Sequence, residues 1–212
     1  MTRIVVVGAG GHGAIVADIL QDAVIGFVDD APEKQGSTIL GLPLLGPIAS
    51  LASIEHDAIV VAIGDNHARR LLTERLLAAG ERLATAIHPF TSIARSATIG
   101  EGAMISAGAV ILPRAVIGRG AIINTKGSVD HDSVVGDFAH VSVGATVGAN
   151  VGIGGESLVA LGASVVSGYS VGARSIVGAG AVVVSDVPDD VTVLGVPARI
   201  TADRRSAGPT RS

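Results

Sequence analysis

Six histidines, at 12, 56, 67, 88, 131 and 140, are the side chains of this 212-residue chain that titrate near neutrality. The chain has no cysteine, so it offers no thiol nucleophile, no disulfide and no Cys-ligated metal. His131 stands in Val129-Asp130-His131-Asp132, where an imidazole beside a carboxylate has the makings of a general base for a hydroxyl or an amine. His140 follows nine residues later. His56 and His67 read as ordinary polar residues. His12 lies in Gly8-Ala9-Gly10-Gly11-His12-Gly13, and Asp29-Asp30 follows about twenty residues on. That glycine spacing, between a strand and a helix, lets backbone N–H groups approach a phosphate. It matches a dinucleotide fingerprint, but a domain for NAD needs two βαβαβ halves, and only some 85 residues precede the rest of the chain's pattern. A nucleotide-linked sugar needs the same phosphate contacts, and a purely structural glycine turn is the third reading.

Two kinds of element must position these groups. Arg3 to Val7 reads as a strand, Ala14 to Leu20 as a helix with Ile15, Val16, Ile19 and Leu20 on one face, and Val24 to Val28 as a second strand. Ala58 to Ile63 is a third strand ending at Gly64, Arg69 to Ala79 a helix, and Leu83 to Ile87 a last strand. The result is a small parallel α/β sheet, Rossmann-like, over residues 1–86. Gly64 would share its carboxyl edge with Gly10 and Asp29, where open α/β sheets hold ligands.

From Ile93 to Val183 every sixth residue is Ile or Val, sixteen stations without a slip, and the residue two before each is nearly always small. No helix or plain strand has this period; a hexapeptide β-helix does. Three hexads close a triangular coil of 18 residues, so the sixteen hexads make a little over five coils, in a β-helix domain placed over residues 87–200. Residues 201–212 read as a flexible polar tail. Nine residues are half a coil, so His131 and His140 lie on opposite sides of the prism and cannot meet within one chain. They could converge only where prisms pack side by side, and a three-sided prism suits a three-fold assembly.

Positive mean hydropathy, +0.58, follows from this core, since no apolar run approaches membrane-spanning length. With no signal-peptide layout either, a cytoplasmic address is expected. A net charge of −4 and 2% aromatic residues argue against nucleic acid as a partner.

Taken together, the Gly8–Gly13 opening, Asp29-Asp30, Ile123-Asn124-Thr125, Val129-Asp130-His131-Asp132 and the ending Gly195-Val196-Pro197-Ala198-Arg199 resemble one family. It is the bacterial hexapeptide-repeat sugar acetyltransferases, of the sialic acid O-acetyltransferase and UDP-4-amino-sugar N-acetyltransferase type. The resemblance covers residues 1 to about 200 and implies a left-handed β-helix, a handedness that spacing does not show. It implies His131 as general base assisted by Asp132, where some members carry Glu. His140, Gly144 and Leu161 would line the acetyl-CoA site, with a backbone N–H near Gly144 meeting the oxyanion. Gly10, Gly11, His12, Asp29, Asp30, Gly64 and Asn124 would hold the nucleotide sugar. Acetyl transfer to the amine of a nucleotide-linked amino sugar is the leading expectation, O-acetylation of a sialic acid the second, and a non-catalytic nucleotide-binding scaffold the reading from another class. No metal is expected, because the histidines lack the five-residue spacing that the gamma-class carbonic anhydrases use for zinc.

Overall fold

The computed structural model describes residues 2–203, in two compact units that divide between Pro89 and Phe90. In the first, β1 (Ile4–Val7), β2 (Val24–Val28) and β3 (Ala58–Val61) form a parallel sheet in the order β2-β1-β3. Val5, Val7, Val28, Ile59 and Val61 form its core with Leu51 and Leu76. Because the strands are parallel, Gly8, Asp29 and the Ala62–Gly64 turn leave the sheet at one edge. Helix α1 spans Gly11–Leu20, so Gly11-His12-Gly13 is its first turn rather than the loop before it. Helix α2 spans Asn66–Ala78, and Asp65 caps it by accepting the Ala68 N–H at 2.7 Å. The strand expected over Leu83 to Ile87 is reduced to a bridge from Leu83 to Ile59 and the pair Ala86–Ile87.

His56, read as ordinary, bonds on both ring nitrogens: Nδ1 to the Ile54 carbonyl and Nε2 to Glu81, each at 2.7 Å. Both partners are acceptors, which favours the protonated ring. Burial pulls this group down, but the Ile54 carbonyl, Glu81 and Asp57 outweigh it and leave it raised. A raised folded-state value stabilises fully below the unfolded value of about 6.5 and loses that stabilisation as pH rises through the folded value. The melting temperature of the wild type should therefore exceed that of His56→Ala most below about pH 6.5, with the gap narrowing as pH rises above that value. A constant gap would contradict the pairing.

In the second unit the hexads form a three-faced parallel β-helix. Its first face stacks Ser92–Ile93, Val110–Ile111, Ser128–Val129, Thr146–Val147, Ser164–Val165 and Val182–Val183. The second stacks Thr98–Ile99, Val116–Ile117, Val134–Val135, Gly152–Ile153 and Ser170–Val171. The third includes Met104–Ile105, Ile122–Ile123, His140–Val141, Leu158–Val159 and Ile176–Val177. Register is 18 residues throughout, with Ile111 beside both Ile93 and Val129. The stiff branched side chains point inward, and every station from Ile105 to Val183 is at most 2% exposed. The smaller inward residues sit at the corners; where they are serines, the hydroxyl ties coils together, as Ser133 Oγ donates to Gly148 O at 2.7 Å and accepts from Val151 N.

The solenoid continues beyond Val183, where the expected pattern stopped. Val187 bridges to Val171, and Val191–Leu194 extends the third face beside Ile176–Val177. The tail expected from residue 201 begins inside a strand, Arg199–Asp203, that pairs antiparallel with Val191–Leu194. Residues 204–212 lie outside the described residues.

Candidate active site

Two constellations sit in the solenoid. His131 and Asp132 occupy the edge between the first and second faces, at a tight turn in which Asp132 adopts φ +60°. The corner turns both side chains the same way, so His131 Nδ1 meets Asp132 Oδ2 at 2.7 Å, a contact that adjacent residues of a flat strand could not make. Asp132 is ionised, which makes Nδ1 the donor and leaves the lone pair on Nε2. Arg114, one coil earlier on this edge, donates from Nε to Asp132 Oδ1 at 2.6 Å and from a terminal nitrogen to Oδ2 at 2.7 Å. Arg114 first, and His131 second, hold the Asp132 carboxyl well below the usual carboxylate range.

The other constellation follows the third face. Asn124 and His140 are buried there, and Asn124 Nδ2 lies 3.2 Å from His140 Nε2. Asn124 Oδ1 accepts the Thr125 N–H at 2.8 Å, which fixes the amide orientation. Nδ2 therefore donates and His140 Nε2 accepts. Along the edge from the third face to the first, the stacked corners Gly144, Gly162 and Gly180 leave open space where a Cβ would be, and Leu161 is 59% exposed. The Gly144 N–H itself donates to Thr125 O at 2.9 Å. That amide is engaged in coil stacking. Asn124, expected among the residues that hold the sugar, bonds His140. His131 lies on the edge opposite the face that carries His140.

In the first unit, the sheet edge gathers the glycine turn, His12, Asp29 and Gly64. A Cβ on Gly13 would strike the Gly8 carbonyl oxygen, and one on Gly8 would come within 2.8 Å of Ile63. These two glycines are demanded by the fold. Gly10 and Gly11 are not, because a Cβ there would meet nothing within 4 Å. The space they leave is open to a ligand approaching the first turn of α1. Gly64 leaves room for His12, whose ring atoms would stand 3.0 and 3.2 Å from an added Cβ. Burial and then the Arg69 charge push the His12 imidazole down, so it is neutral at neutral pH. Arg69, 1% exposed, shapes this turn by donating to Ile63 O (2.8 Å), Gly64 O (3.2 Å) and Asn66 Oδ1 (2.8 Å).

Both acids of this edge are engaged internally. Asp29 accepts from Ala9 N (2.7 Å), Ala31 N (2.9 Å) and Lys34 Nζ (2.9 Å). Burial pushes its carboxyl up, but Lys34 and these amides outweigh that and leave it below the usual range. Asp30 accepts the Ile48 N–H at 2.8 Å. Sequence reading passed over Lys34, Arg69 and Arg114. Among the described residues, no group of three or more His, Cys, Asp or Glu is gathered to hold a metal ion, and no helix is long and apolar enough to cross a membrane.

Residues 3–76 match the family described as the PglD N-terminal domain. A curated relative, UDP-N-acetylbacillosamine N-acetyltransferase of Bacillus subtilis, is 36% identical over 113 residues. That match covers 50% of this chain and 52% of the relative, about half the length of each. Among solved structures, a variant of perosamine N-acetyltransferase from Caulobacter crescentus, in complex with CoA and GDP-perosamine, is 36% identical with a TM-score of 0.91. The match covers 96% of this chain and 98% of that one. The acetyltransferase domain of PglB from Neisseria gonorrhoeae, in complex with acetyl coenzyme A, is 39% identical with a TM-score of 0.89, covering 94% and 99%. The likeness runs through the small parallel sheet and the left-handed β-helix alike.

Proposed function

The chain belongs to the hexapeptide-repeat, acetyl-CoA-dependent sugar N-acetyltransferases, and from that premise we propose that it acetylates the amine of a nucleotide-linked amino sugar, with His131 as general base. The observation that carries the reading is the His131–Asp132 contact, which leaves Nε2 as a lone-pair acceptor on an exposed edge. Acetyl-CoA would supply a thioester carbonyl open to attack by that amine. As the C–N bond forms and the thioester C–S bond breaks, His131 takes at Nε2 the proton that the nitrogen sheds, Asp132 stabilises the imidazolium so formed, and the proton then passes to the departing CoA thiolate. With no cysteine in the chain, transfer needs no Cys-linked acyl-enzyme. The glycine-lined edge beside Asn124 and His140 fits an extended pantetheine arm, since no side chain fills its corners. The open first turn of α1, with neutral His12 beside Gly64, fits a nucleotide's phosphates. This reading has the enzyme act in the cytoplasm.

The reading makes the enzyme a homotrimer in which His131 of one chain faces the Asn124–His140 edge of the next. Its support is that the two constellations occupy opposite sides of one prism. Mixing inactive His131→Ala chains with inactive Asn124→Ala/His140→Ala chains should restore activity, because about one junction in four then has both parts intact. No recovery in verified mixed assemblies would contradict the shared site. Acetyl-CoA should also raise the melting temperature, by about 2.7 kcal/mol of added stability at a hundredfold excess over Kd. A scaffold would show neither effect.

A further inference from the structure

We propose that Arg114 is a positioning residue for this reaction, locking the Asp132 carboxylate so that His131 presents Nε2 in a single orientation. The inference rests on reading His131 as the base and deepens it. Arg114 and Asp132 are one coil apart on one edge and share the same backbone conformation, φ +62° and +60°. Their side chains therefore leave the edge in parallel, about 4.8 Å apart. The planar guanidinium takes both carboxylate oxygens, at 2.6 and 2.7 Å, and Oδ2 also accepts from His131 Nδ1 at 2.7 Å. With both oxygens held, the carboxylate cannot rotate about its Cβ–Cγ bond, and the imidazole hydrogen-bonded to it keeps one tautomer and one angle. Coil stacking supports the same point, since Asp132 N donates to Pro113 O at 3.2 Å and Asn150 N to His131 O at 3.1 Å.

Stability is a poor reason for this fork. The Arg114 side chain is 64% exposed, and exposed ion pairs contribute little. The solenoid contains its own control. Arg174 grips Asp190 with the same fork, both bonds at 2.6 Å, on the edge between the second and third faces. Only the Arg114 fork has the candidate base on its carboxylate.

The test uses the full chain. Nitrogen NMR of labelled histidine, assigned by difference from His131→Gln, should show His131 protonated on Nδ1 in the wild type. It should show a tautomer mixture in Arg114→Ala, and the wild-type pattern in Arg174→Ala. With acetyl-CoA and a UDP-linked 4-amino-4,6-dideoxy sugar, Arg114→Ala should lower kcat about tenfold and leave both KM values within about twofold. In an Asp132→Ala background the same change should cost less than about twofold, because its route through Asp132 is gone. Lysine at 114 should recover only part of the loss, since an ammonium cannot hold both oxygens. An unchanged tautomer in Arg114→Ala, or a full tenfold cost without Asp132, would overturn the inference. So would a KM rise for acetyl-CoA at constant kcat, which would make Arg114 a ligand contact. If the tautomer responds as stated but His131→Ala still turns over normally, the base assignment has failed and the positioning has not.

Discussion

Replacing His131 with alanine is expected to lower kcat by about a hundredfold to ten-thousandfold, the usual contribution of a positioned general base. The KM values for both substrates should stay within a few-fold, because the ring acts on a proton in flight rather than on binding. The fold should be indifferent, since the His131 side chain is 46% exposed and its backbone carbonyl still accepts from Asn150 N. Steady-state kinetics together with a melting curve check both halves. Near-normal kcat would remove His131 from the chemistry, and a collapsed melting temperature would make the residue structural.

The second large effect is expected at Gly13. An alanine there drives its Cβ into the Gly8 carbonyl oxygen, which is held in place because Gly8 N donates to Val28 O at 2.9 Å. Neither element can retreat without breaking the β1–β2 pairing. The cost is about 3 kcal/mol, enough to lower the melting temperature of the first unit by roughly 10 °C or more. Gly10→Ala is the matched control, since nothing lies within 4 Å of its Cβ. It should melt like the wild type and instead raise KM for the nucleotide sugar. Equal stability losses in the two variants would mean that the space over Gly10 is not a ligand's.

These two residues mark how far the sequence could be read. The sixteen Ile and Val stations were legible because each must point inward, and a slip of one would expose it. The reading failed beyond Val183 because the last coil is two residues short: Val171 bridges to Val187 and Ile176 pairs with Thr192, sixteen residues on. At a strict period the next stations would be Asp189 and Gly195; in the shorter coil Val187 and Val193 go inward instead. Helix α1 began earlier than expected because Gly11 and Gly13 look like turn residues, whereas they serve close packing and open approach inside a helical turn. His131 and Asp132 stood side by side in the text, but Arg114 did not; a search one coil away from each candidate would have found it. Asp29 and Asp30 were assigned to a ligand on their spacing from the glycine turn and on the family resemblance. Their bonds to Ala9, Ala31, Lys34 and Ile48 show carboxylates that also shape the turn. Composition cannot separate these roles, because an acid that staples a loop and one that receives a ligand are spelled the same way.

The most direct measurement of the central claim is acetyl transfer itself. Acetyl-CoA is supplied with UDP- and GDP-linked 4-amino sugars, their 4-hydroxy counterparts and free sialic acid, and both CoA release and product mass are followed. The account predicts one acetyl group on the nitrogen of a nucleotide-linked amino sugar, formed by the wild type and lost in His131→Ala. Acetylation of a hydroxyl acceptor with every amine left untouched would contradict it.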